Sequence, residues 1–119
     1  MNVNRIVEGL GSVIGCPVEP DVYSGQQKRY ITYTYEDERP NMQGDNRTLA
    51  DTAYIQINYF VPREYNYMAD KHKIRDYLEQ NGFKVTSIRS WMEDEATGFP
   101  NIRHLLFETN YTETRRKQG

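Results

Sequence analysis

The chain predicts an α+β domain, a mostly antiparallel four-stranded sheet with two main helices packed on one side, in the order α-β-β-α-β-β. Two adjoining stretches carry that prediction. In TAYIQINYFVP, Ala53, Ile55, Ile57, Tyr59 and Val61 share one parity and Tyr54, Gln56, Asn58 and Phe60 the other, the period of a strand with one buried face. In NYMADKHKIRDYLEQNG the period becomes helical, with Tyr67, Lys71, Ile74 and Leu78 on one stripe flanked by Asp70 and Tyr77. A sheet face and a helix stripe, each apolar on one side, need each other for burial.

The other elements follow in order. Val3, Ile6, Val7, Leu10, Val13 and Ile14 recur at three- and four-residue steps and predict a first helix over 2–14. Gly9 and Gly11 weaken it, by about 1 kcal/mol each relative to alanine, so it must lean on tertiary or subunit packing. Small residues there would also admit a neighbouring backbone at close range, although glycines that are merely tolerated are the favoured reading. Gly15, Pro17 and Pro20 end the helix and lead into an extended connection to about Gln27.

KRYITYTYE, residues 28–36, reads as the first strand, with Ile31, Tyr33 and Tyr35 toward the core and Tyr30, Thr32 and Thr34 away from it. DERPNMQGDNRTLAD then predicts a long polar loop over 37–51, a protruding arm. Pro62 ends the central strand, Asn66 is placed to cap the second helix, and Gly82 suits the left-handed residue after its last turn. FKVTSIRSWM (83–92) and IRHLLFETNYT (102–112) read as the last two strands, joined by a loop over 93–101. The final strand carries apolar side chains on both parities, so one face should meet the helices and the other a second sheet or another subunit. The expected organisation is one domain over 1–112 and a flexible polar tail over 113–119, with a basic cluster at Arg115, Arg116 and Lys117.

A length of 119 residues fits one domain with a real core. Mean hydropathy is low, at -0.88. Ten tyrosines and four phenylalanines nevertheless supply enough ring surface to fold. Fifteen basic against seventeen acidic residues leave a formal charge of -2, without the excess that drives nonspecific nucleic-acid binding. Cys16 is the only cysteine, which excludes an internal disulfide and a cysteine-rich zinc site and suits a reducing compartment. With no long apolar run, the sequence predicts a soluble protein without export signal or membrane contact.

The search for chemistry returns little. There is no phosphate-binding glycine loop and no GxSxG elbow. His72 falls among Lys71, Lys73 and Arg75 on a helix surface. His104 sits near the start of the last strand, within reach of an acidic partner, and the two histidines lack metal-ligand spacing. Cys16, beside Gly15 and Pro17, reads as a small buried residue. Two acidic clusters, Glu36-Asp37-Glu38 and Glu93-Asp94-Glu95, read as solvated strand ends. The reading is therefore a non-enzyme with no cofactor and no metal. The alternatives are a small metal-dependent nuclease using the acidic loops, since Mg²⁺ takes oxygen ligands, or a monomeric adaptor.

Tyrosines carry more information. Tyr30, Tyr33, Tyr35, Tyr54, Tyr59, Tyr65, Tyr67 and Tyr77 crowd the central strands and the helix entry, on both parities. Tyrosine offers interfaces contact area and a polar tip at low entropic cost. Tyr30, Tyr33, Tyr35, Arg39, Met42, Arg47, Tyr54 and Phe60 are accordingly the candidate subunit-interface residues.

The helix, RYITYTYEDE, the polar loop around Gly44-Asp45-Asn46, TAYIQINYFVP, DKHKIRDYLEQNGF and the closing LLFETNYTE together resemble the neck or tail-terminator proteins of long-tailed bacteriophages and prophages, over roughly Val3 to Thr112. The resemblance implies a structural virion protein, assembled in the host cytoplasm. Its copies would form a ring, usually of six, that caps the finished tail tube, stops its polymerisation and joins it to the head. The implied partners are further copies of the chain, the tail tube protein and a head-completion or connector protein, with DNA only passing through the channel. The acidic loop Glu93, Asp94 and Glu95 is the candidate for lining that channel.

Overall fold

In the computed structural model, which describes residues 3–43, 48–93 and 101–116, the alternating stretch forms the middle of the sheet. The elements are α1 (Val3–Glu8), a π-helical turn (Gly11–Gly15), β1 (Val18–Pro20), β2 (Tyr30–Gln43), β3 (Thr48–Pro62), α2 (Met68–Gln80), β4 (Phe83–Met92) and β5 (Ile102–Arg116). The sheet is five-stranded, in the order β1-β2-β3-β5-β4. It is also mixed, because β1 runs parallel to β2 while the other pairs are antiparallel.

This corrects the expected four-stranded sheet and the order α-β-β-α-β-β. The missed strand lies in the segment read as an extended connection, where Pro17 and Pro20 argued against a strand. Prolines are tolerated there because β1 is a sheet edge. The Pro17 carbonyl accepts the Ile31 N–H and the Asp21 N–H reaches the Tyr33 carbonyl, so three residues suffice to pair.

The first helix is shorter than the expected 2–14. It closes at Glu8 and the chain continues through the π-helical turn, between Gly9 and Gly15. At Gly9 a Cβ would lie 2.2 Å from the Tyr77 hydroxyl, which donates to the Ile6 carbonyl at 2.7 Å. The glycine admits that hydroxyl and so brings α1 against α2. Gly82 follows α2 at φ 93°, a conformation natural to glycine. Asn66 caps from one position earlier than a standard N-cap, its Oδ1 accepting the Met68 N–H at 3.2 Å.

All five odd-parity residues of β3 from Ala53 to Val61 are fully buried. They join Val3 and Val7 of α1, Leu10 at the entry to the π-helical turn, Ile74 and Leu78 of α2, Ile31 and Tyr33 of β2 and Leu105 and Phe107 of β5 in one core. The helices thus cover one sheet face.

The largest departure lies in 37–43, 48–51 and 113–116. Instead of a loop, β2 and β3 stay paired to Gln43↔Thr48, and β5 stays paired with β3 to Thr48↔Arg116. The expected tail over 113–119 is therefore a strand as far as Arg116. β4 stops pairing at Phe83↔Tyr111 and β1 covers only Ile31 to Tyr33, so beyond them three strands continue alone. The result is an elongated molecule of 55 × 28 × 24 Å with a three-stranded arm. Two β-bulges, between Tyr35 and Asp37 and between Val85 and Ser87, flank the single cross-strand row Ile55–Thr109 at the root of this arm. Bulges increase local twist, so the sheet turns where the body hands over to the arm.

Candidate functional site

The face of the sheet away from the helices carries a continuous row of rings. Register brings them together: Tyr30 of β2 pairs with Phe60 of β3, Phe60 with His104 of β5, and His104 with Trp91 of β4. Tyr23, from the β1–β2 connection, closes the end. Successive centroids are 4.3 Å apart for Tyr23–Tyr30, 4.8 Å for Tyr30–Phe60, 4.2 Å for Phe60–His104 and 4.4 Å for His104–Trp91. Such offset contacts add about 0.5–1.5 kcal/mol per pair beyond area burial. The Tyr23–Tyr30 and Tyr30–Phe60 contacts are stacked, and the two contacts of His104 are tilted at 30° and 50°.

His104 is the polar centre of the row. Its Nδ1 lies 2.7 Å from Glu93 Oε1 and its Nε2 lies 2.6 Å from Asn58 Oδ1. Burial pushes its pKa below the ordinary histidine value, and the hydrogen bond and charge of Glu93 pull the other way without restoring it. The Tyr30 hydroxyl is raised, by burial first and then by the negative charge of Glu93. A cavity of about 250 Å³ opens at the Tyr23 end, lined by Tyr23, Gly25, Gln26, Gln27, Lys28, Tyr30 and Ile102.

On the arm, Arg39 stacks over the Tyr54 ring at 5.3 Å and pairs with Asp37 at 2.7 Å. This arginine and the Glu38 backbone hold the Asp37 carboxyl below its usual range. Thr52 and Thr112 join β3 to β5 by a 2.9 Å hydroxyl contact.

The expected interface residues divide. Tyr30 and Phe60 lie in the ring row, and Arg39 and Tyr54 form the arm stack. Tyr33 faces the helices, 2% exposed, with its hydroxyl on Glu8, and is core. Tyr35 shares that side but is 41% exposed, bonding Asn4 at the arm root. Met42 lies on β2. Arg47, Asp94 and Glu95 lie outside the described residues. Glu93 is turned onto the sheet and bonded to His104, so its carboxylate is a structural partner of the row.

No family model and no curated protein matches this chain.

Sequence reasoning did not bring Tyr23 and Trp91 into the row, and it left the acidic partner of His104 unnamed. Parity alone places Tyr30, Phe60 and His104 on outer faces. The strand register needed to line them up depends on the whole sheet. Among the described residues, no cluster of three or more His, Cys, Asp or Glu is placed to hold a metal, and no helix is long and apolar enough to cross a membrane. Cys16 is buried, and burial raises its thiol to about 11, far from the thiolate a nucleophile requires.

Proposed function

We propose that the chain is a structural subunit of a phage or prophage tail, copies of which close into a ring that caps the tail tube, ends its growth and joins it to the head. The observation that carries this reading is the three-stranded arm, projecting from a body whose open sheet face carries a row of rings. An arm and a body face are different surfaces, as a heterologous contact between neighbours requires, and such contacts close into rings when the rotation allows. The reading also draws on the resemblance of the sequence to tail-terminator proteins.

The test is the solution mass by light scattering after size exclusion, over a range of concentration and salt, together with electron microscopy of purified tail tubes mixed with the protein. A closed oligomer near six copies, or capped tube ends, is the expected result. A monomer that also leaves the tube ends bare overturns the proposal.

A further inference from the structure

The two long edges of the arm differ. On β2 the Glu38 N–H is taken by Asp37 Oδ1, and Pro40 has no N–H to give. On β5 the phase of the ladder leaves backbone groups open. The Arg63 N–H donates to the Asn101 carbonyl, so the odd-numbered residues of β5 bond β3, and that register runs without a shift from Ile102 to Arg116. The Glu93 N–H donates to the Ile102 carbonyl, so the even-numbered residues turn toward β4, which stops pairing at Tyr111. Thr112, Thr114 and Arg116 therefore turn their backbone N–H and carbonyl groups to an edge that no described strand occupies.

We infer that this edge, residues 112–116, pairs antiparallel with the same segment of a second copy of the chain, joining two three-stranded arms into one sheet. An open strand edge is a template for another strand. Elsewhere the sheet limits such pairing. β1 is three residues long and flanked by Pro17 and Pro20, β2 is guarded as described, and β4 is bent by the bulge between Val85 and Ser87 and carries Lys84 and Arg89. Residues 112–116 contain neither proline nor bulge, and Thr112 and Thr114 are exposed.

The segment is complementary to itself. A two-fold axis at Thr114 sets Thr114 against its own equivalent and Thr112 against residue 116 of the second copy, so every open backbone group meets another in phase. Between them, Glu113 falls in register with residue 115 of the second copy, an arginine, and does so twice. Opposite charges in directly opposed cross-strand positions favour that register. The contact is isologous and uses the strand edge alone, so it does not depend on the assembly reading.

Sedimentation velocity of the full chain over a range of concentration, with two variants, is the test. Thr114→Pro removes an outward N–H but none of the bonds to β3, copying onto β5 the guard that Pro40 gives β2. It should halve the mass of the wild-type particle without changing far-UV circular dichroism. In Thr114→Cys the two-fold brings the paired Cα atoms to about 5.5 Å, within disulfide range. Mild oxidation should then give a covalent dimer, while the buried Cys16 leaves the wild type uncrosslinked. If the proline variant does not fold, the cross-link decides. A wild type that is monomeric at every concentration, a folded proline variant of wild-type mass, or a cysteine variant that stays single-chain under oxidation overturns the inference.

Discussion

Arg29 and Asp70 meet at 3.4 Å, one from the residue just ahead of β2 and one from the first turn of α2. Around them the same guanidinium donates to the Ile14 and Gly15 carbonyls and to the Tyr59 hydroxyl, which in turn donates to Asp70. Tyr65 lies under the guanidinium at 4.9 Å. The π-helical turn, two strands and α2 are tied at one point, and the Tyr59 hydrogen bond is the first reason the Arg29 pKa is raised. Asp70→Ala leaves a buried phenol and a mostly buried cation without their shared acceptor. A loss of about 3 kcal/mol in urea unfolding is expected. A loss under 1 kcal/mol would show that water replaces the carboxylate without cost.

Gly9 and Tyr77 form a second junction. Gly9→Ala should cost about 1 kcal/mol by displacing the Tyr77 hydroxyl from Ile6, despite alanine's better helix propensity. In a Tyr77→Phe background the same change should be neutral or stabilising. A double-mutant cycle on thermal unfolding measures the coupling.

The arm should be separable from the body. Among the side chains described, every fully buried residue of β2 and β5 lies at or below the bulge row, and the helices pack there. A chain in which a short turn replaces residues 38–52, and which ends after Thr112, should keep cooperative unfolding and near-native far-UV dichroism while losing self-association and tube capping. Unchanged assembly would remove the arm from the interface.

The outer edge of the arm is guarded against indiscriminate pairing. The Glu38 N–H is occupied by Asp37 Oδ1 at 2.8 Å and Pro40 has no N–H to give, so this stretch of β2 is a poor template for a foreign strand. The double variant Asp37→Ala, Pro40→Val should aggregate faster on mild heating, with at least a several-fold rise in light scattering at equal concentration. Equal scattering would mean that the edge is guarded by something else.

Much of the body was legible in the sequence. The two-residue period of 53–61 named the buried face of β3, and the stripe of Ile74 and Leu78 named the face of α2 that meets it, because periodicity is a local property and burial follows it. Residues 37–43, 48–51 and 113–116 are strand where a loop and a tail were expected, for a complementary reason, while 44–47 and 117–119 lie outside the described residues. Charged and Pro-containing segments have little strand propensity of their own, and here β2 and β5 persist because both pair with the continuous β3 between them. The three-residue β1 was invisible for the same cause.

The amino-acid sequence by itself determined the helix-and-sheet class, the central strand and its inward parity, and the glycine after α2. Only the tertiary structure decided the mixed five-stranded sheet, the arm and the alignment of Tyr30, Phe60, His104 and Trp91 into one row. Parity says which way a side chain points, but which side chain lies beside it depends on register, and register is settled by contacts made between residues far apart in the chain.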